Sequence, residues 1–311
     1  MIDAIVWFFT NVAFGVINFF TIFFNPAAWP NFGDSEWLIK FIYYGASKEL
    51  FFIIFDAFVL LLIAGYFKRN LLWAFVRGSE AINNSIGRIA AWALLLMVLQ
   101  QVLIVALQRI FRVSEITIAP FGYGFTKDVS WYAEELKLYN AIIVALCVGY
   151  TFIQGGHVRV DLIYSAVGHR TKRLIDMFGS LFFMLPFVTI VWLYGWFFMW
   201  RHLVRPPLAS NYDIDRMLRV SKALKWDVET IGFSPNGFNG YFLFKVLLVS
   251  FAGLLFLQAL SFFCRSLLEY LEGEASVDKY LDRDSDLEKQ AKKELKATTQ
   301  QKAALSHHEG I

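Results

Sequence analysis

Long apolar runs separated by short polar breaks dominate the chain. Positions 4–24, 51–67, 89–108, 138–154, 177–200 and 246–264 are each mostly apolar, and runs of roughly 17–25 such residues match a helix that crosses a bilayer. In lipid each run has to be helical, because only internal hydrogen bonds replace the water that its backbone loses. Stretches 89–108 and 177–200 carry no formal charge, and 246–264 follows the lone Lys245. The pattern predicts an all-α integral membrane protein with about six transmembrane helices. It divides into an N-terminal helical hairpin at 1–67, a cytoplasmic connector at 68–87, a four-helix core with an interfacial arm and an outer loop at 88–267, and a charged cytoplasmic tail at 268–311. The first run has an alternative placement in the membrane plane, with Trp7 and Trp29 at headgroup depth.

Composition agrees with lipid as the solvent. Of 311 residues, 57% are hydrophobic and 18% charged, against roughly 25% charged in a soluble domain. The net charge of +3 is too small a bias for a nucleic-acid partner. Basic residues instead orient the chain. Lys68, Arg69, Arg77 and Arg88 follow the second run, while Arg159, Arg170, Lys172 and Arg173 follow the fourth, so both connections belong in the cytoplasm and both termini with them. Arg205, Arg216, Arg219, Lys222 and Lys225 oppose this on the outer side, offset in part by Asp213, Asp215, Asp227 and Glu229. No lysine or arginine precedes Lys40, so the N-terminal run reads as a retained segment rather than a signal peptide. The tail has few large apolar residues and reads as loose or partly helical.

Few residues suggest chemistry. Cys147 and Cys264 lie in apolar runs and form no disulfide framework, and the five histidines sit near run ends or in the tail, where they make poor haem ligands. Asp56 interrupts an apolar run, and a structural ion pair or an interfacial position accounts for it better than ion coupling. Pro186 predicts a bend in the fifth run. The segment TKDVSWYAEELKLYN, 126–140, reads as a short amphipathic arm with an acidic face at Asp128, Glu134 and Glu135 and with Trp131 on the apolar side. At GGHVRVD, 155–161, Gly155 and Gly156 permit a tight exit from the membrane, and His157, Arg159 and Asp161 share one face of an extended strand. One histidine and one carboxylate are too few to hold a metal, so docking or a salt bridge is the simpler reading.

These two segments, with RTKRLID at 170–176, resemble the small membrane subunit of tripartite ATP-independent periplasmic transporters, the DctQ-like family. The resemblance runs through 130–164, and more loosely over 88–267. It implies a non-enzymatic scaffold, without a cofactor of its own, in the bacterial inner membrane. Its partners would be a large multispan permease of elevator type, which binds the driving ion, usually sodium, and a periplasmic solute-binding protein that delivers an organic acid or related solute. Trp131, Glu134 and Glu135 match the family's arm, and His157, Arg159 and Asp161 its cytoplasmic exit. The N-terminal pair of runs, the long outer loop and the charged tail make this a large variant. The loop segment FSPNGFNGY, 233–241, has the composition of a shaped turn that a binding protein can touch. The alternative from the residues alone is the anchor subunit of a membrane oxidoreductase.

Overall fold

A computed structural model describes residues 2–25, 31, 33–118, 124–155, 167–209, 211–230, 237–277 and 279–283. Among them five helical stretches are long and apolar enough to cross a membrane: Ile2–Ile22, Lys48–Phe67, Arg69–Ile110, His169–Leu203 and Tyr241–Glu272. The chain is a multi-pass, all-α membrane protein. The run at 138–154, expected as a further crossing, is helical in two pieces, α5 (Val129–Leu146) and α6 (Val148–Ile153), joined at Cys147.

The N-terminal region is more elaborate than a hairpin. Helix α1 (Ile2–Phe24) packs on α3 (Lys48–Phe67), but a further helix, α2 (Ser35–Tyr44), separates them where the sequence suggested only a turn. Asp34 caps α2 by accepting from Glu36 N at 2.9 Å, and Ser47 caps α3 by accepting from Leu50 N at 3.4 Å. Ile39 and Ile42 of α2 are buried against Trp200 and Leu203 of α8 (Leu185–Leu203). The indole N–H groups of Trp196 and Trp192 donate to the carbonyls of Ile42 (3.1 Å) and Gly45 (3.2 Å). The tryptophans of the fifth run therefore turn inward onto α2, whereas Phe178, Phe182, Phe183, Phe187 and Tyr194 remain exposed on the outer face.

Asp56 departs from expectation. It is 3% exposed and lies against Gly15 of α1, where any side chain on the glycine would overlap its carboxylate. Its Oδ2 has no hydrogen-bond partner among the described residues. The Ser47 cap starts α3 early enough to carry Asp56 past the polar end, and Lys48 pairs with Glu49 instead, at 3.8 Å.

Residues 68–87 are helical and continuous with the following span: α4 runs Arg69–Val105 and closes in a π-turn, Ala106–Ile110. After it comes a hairpin of β1 (Glu115–Ile118) and β2 (Phe125–Asp128), paired antiparallel from Glu115↔Asp128 to Ile118↔Phe125. The fifth run continues α7 (His169–Gly179) through a second π-turn, Ser180–Met184, into α8. Pro186 accounts for the widened turn, since its ring displaces the carbonyl one turn earlier and its nitrogen donates nothing. The outer loop holds α9 (Ile214–Ser221) and a two-residue pairing of β3 (Val204–Arg205) with β4 (Lys225–Trp226). The last span, α10 (Tyr241–Glu272), is the centre of the bundle and packs on α8, α4, α7, α5 and α6.

Candidate functional site

Two polar assemblies lie at opposite ends of the bundle. The first is built by the arm, which is the opening of α5 and not a separate helix. Val129 and Tyr132 are buried with Ile104 of α4, and this fixes the roll of α5. Trp131 is thereby set edge-on to Phe238, at 5.2 Å between ring centroids. Glu134 accepts from the backbone N–H of Phe238 at 3.0 Å, and Glu135 accepts from Gln100 Nε2 at 3.1 Å, a nitrogen that also donates to the Tyr132 carbonyl at 3.2 Å. Trp131, Glu134 and Glu135 thus join α4, α5 and the strand of chain that leads into α10. Their contacts are internal to the chain.

At the other end, α6 finishes in Gly155, whose φ of 75° is the left-handed conformation that glycine adopts without strain. Gly156, His157, Arg159 and Asp161 lie outside the described residues. The polar groups that are described there form a network that the sequence reading missed. Asn83 of α4 donates to Gln258 Oε1 of α10 at 3.0 Å in the buried bundle. One helical step further, Arg265 grips Glu80 with two bonds, Nε to Oε1 at 2.8 Å and Nη2 to Oε2 at 2.6 Å. Arg173 of α7 reaches Glu269 at 2.7 Å and Asp176 at 3.1 Å. Glu80, Arg265 and Glu269 are each below a tenth exposed, so pairing is the condition on which these charges stay ionised away from water.

The start of the tail closes over this network. Gly273, at φ 82°, ends α10 and turns the chain back. The Lys279 carbonyl then accepts from Arg265 Nη1 at 3.0 Å. Asp282 accepts from Arg88 at 3.0 Å, and its backbone carbonyl accepts from Asn84 and Gln154, each at 3.0 Å. Arg283 donates to the Ile153 carbonyl at 3.3 Å. Residues 279–283 thereby strap α4 to the end of α6. Close helix approach makes this possible: a side chain at Gly149 would overlap Asn83, and one at Gly87 would overlap Tyr150.

In both assemblies the charged side chains are engaged by groups of the same chain, and their chemistry is structural. Among the described residues no group of three or more histidine, cysteine, aspartate or glutamate side chains could hold a metal ion. An amphipathic arm clamped at one end and a helix exit strapped at the other are the marks of a helix-bundle scaffold. Residues 122–210 match the DctQ component of tripartite ATP-independent periplasmic transporters. No curated protein and no solved structure matches the chain.

The DctQ match takes in β2, the arm, α5 and α6, the 155–168 connection, and α7 and α8 with the π-turn that joins them. It is narrower than the resemblance over 88–267, and α1 to α4 and α10 lie beyond it. It supports the role of a small membrane subunit in such a transporter, and it is a match to a non-catalytic component; the chain is not an enzyme.

Proposed function

We propose that the chain is the small scaffold subunit of an ion-coupled tripartite transporter, seated beside a large elevator-type permease in the bacterial inner membrane. The permease carries the solute and binds the driving ion, sodium. A periplasmic binding protein delivers an organic acid or related solute to the pair. Both termini face the cytoplasm, so the arm, α2 and the outer loop face the periplasm and the Glu80–Arg265 network faces inward.

The DctQ match over 122–210 carries this reading. The distribution of polar groups supports it. A solute path needs ionisable groups or unwound helices near the midplane, whereas the arm and strap acids here are engaged by their own bundle. Bulky apolar side chains on α4, among them Trp92, Leu95, Leu99, Val102 and Leu103, are exposed along one length of helix and suit cover by lipid or a partner helix.

Extraction of the tagged chain from its native membranes in a mild detergent, followed by mass identification, is expected to yield a stoichiometric multispan permease. Vesicles holding both proteins and supplied with the binding protein should then take up solute, while vesicles holding this chain alone should not. Uptake by the chain alone, or recovery of redox subunits in place of a permease, would overturn the proposal.

A further inference from the structure

The N-terminal helices stand beside the core with a seam between them. Helix α3 leans on α1 and α4, and it reaches α10 chiefly through Phe58, whose ring lies 5.8 Å from that of Phe263. Three hollows follow one another along this seam. The largest of the three, about 520 Å³, is walled by Phe55 and Leu62 of α3, Pro186 of α8 and Leu260 of α10. A narrower one of about 160 Å³ shares Phe51, Ile54, Thr189 and Phe256 with it. The third, about 340 Å³, shares Ser47, Leu50 and Trp192 with the second and opens among Trp37, Lys40, Tyr44 and Glu49. Polarity thus rises from an apolar floor to a mouth that holds a cation, a carboxylate and aromatic rings.

From this gradient we infer that the seam holds one membrane glycerophospholipid with a zwitterionic headgroup, one of its two acyl chains along α3 and its phosphate at Lys40. An empty hollow of this size would deprive its walls of the dispersion contacts that close packing supplies. A partner's helix does not fit. One turn about 10 Å across fills on the order of 400 Å³, and the narrow middle of the seam, about 160 Å³, does not admit it. An acyl chain is slim enough to thread the narrow middle.

The mouth matches the headgroup by charge. Lys40 is 58% exposed and Glu49 39% exposed, each paired only along its own helix, with Glu36 at 2.8 Å and Lys48 at 3.8 Å. Lys40 offers donors to a phosphate, and Glu49 a carboxylate to an ammonium group. Trp37 and Tyr44 line the same mouth, and aromatic side chains of this kind are enriched at the headgroup layer.

The inference is independent of the transporter assignment and is tested on the full chain alone. Purified, delipidated protein is incubated with phosphatidylethanolamine, phosphatidylglycerol or diacylglycerol, and retained lipid is counted by native mass spectrometry. One phosphatidylethanolamine per chain is expected to survive washing, with less phosphatidylglycerol and little diacylglycerol. Ile54→Trp, which fills the narrow hollow, should cut retention roughly tenfold, the loss that expelling about two methylenes produces. Lys40→Gln, at the exposed mouth, should weaken both phospholipids and leave diacylglycerol unchanged. If Ile54→Trp does not fold, Thr189→Phe closes the same hollow from α8. Equal retention by wild type and by a folded groove-filling variant would overturn the site, and diacylglycerol held as firmly as phosphatidylethanolamine would overturn the headgroup assignment.

Discussion

Replacing Glu80 with glutamine keeps the shape of the side chain and removes its charge. Arg265 is then left with the Lys279 carbonyl at 3.0 Å and with Glu269 at 3.7 Å, which Arg173 already holds at 2.7 Å. Removing one member of a buried ion pair costs about 3–5 kcal/mol. The two remaining partners place Glu80→Gln at the lower end of that range, about 3 kcal/mol. Equilibrium unfolding in mixed detergent micelles, followed by circular dichroism, measures the change. The double variant Glu80→Leu/Arg265→Met removes both charges at once and should lose less than the two single variants together, because neither leaves an unpaired partner behind. A loss for Glu80→Gln within ~0.5 kcal/mol of wild type, the scatter of ordinary surface substitutions, would refute the claim that this pair fastens α4 to α10. Strict additivity in the double variant would refute it equally.

Gly149→Leu should destabilise the bundle by at least ~1–3 kcal/mol, because the added side chain meets Asn83 where α4 and α6 approach; thermal melts check it. Asp282→Ala removes the carboxylate that faces Arg88 at a half-exposed site and leaves the backbone carbonyl to which Asn84 and Gln154 donate, so its expected cost is under ~1 kcal/mol, while limited proteolysis after residue 278 should become faster. Glu134→Ala should raise hydrogen exchange at the Phe238 amide, its partner at 3.0 Å, and unchanged protection there would refute the clamp. Tyr43 donates to the Ala209 carbonyl at 2.8 Å, and burial, with Tyr212 nearby, pushes its phenol above the ordinary 10.0. The stability that the neutral Tyr43 phenol contributes is therefore complete below pH 10 and is lost as pH rises through the folded value. Tyr43→Phe should flatten that alkaline loss. Asp56→Asn should leave stability equal or higher, since the buried Oδ2 has no partner to lose; a fall would show that the carboxylate is engaged.

The spans were legible because lipid makes one demand on every residue of a crossing, and that demand appears as local composition. Helix α2 was hidden for the opposite reason. Its ten residues, SEWLIKFIYY, are too few to span, and the turn-like NPAAWPNFGD before it draws attention away from the Asp34 cap. The connector at 68–87 looked polar, yet Leu72, Trp73, Val76, Glu80, Asn83, Asn84 and Gly87 recur at helical spacing and form its buried face. Periodicity in hydrophobic residues could not reveal this, because half of the face is polar. What satisfies it comes from Gln258, Arg265 and Asp282, far along the chain. For the same reason Arg173 reads in the sequence only as a marker of the cytoplasmic side, although it is held inside the bundle by Glu269. The arm was visible as an amphipathic segment, but its partners Gln100 and Phe238 were not, since neither carries a distinguishing pattern.

The grip of Arg265 on Glu80 also imposes an order on biosynthesis. Glu80 leaves the ribosome 185 residues before its partner, an interval on the order of 10–40 s at the usual 5–20 residues per second. Throughout that time α4 carries a carboxylate and two asparagines on the face that will be buried, with α10, which answers Glu80 and Asn83, and Asp282, which answers Asn84, still unmade. The nascent α4 must therefore keep this stretch at the water boundary, or lean on insertion machinery, until α10 arrives. A span translated long after α4 is the one that makes α4 at home in lipid.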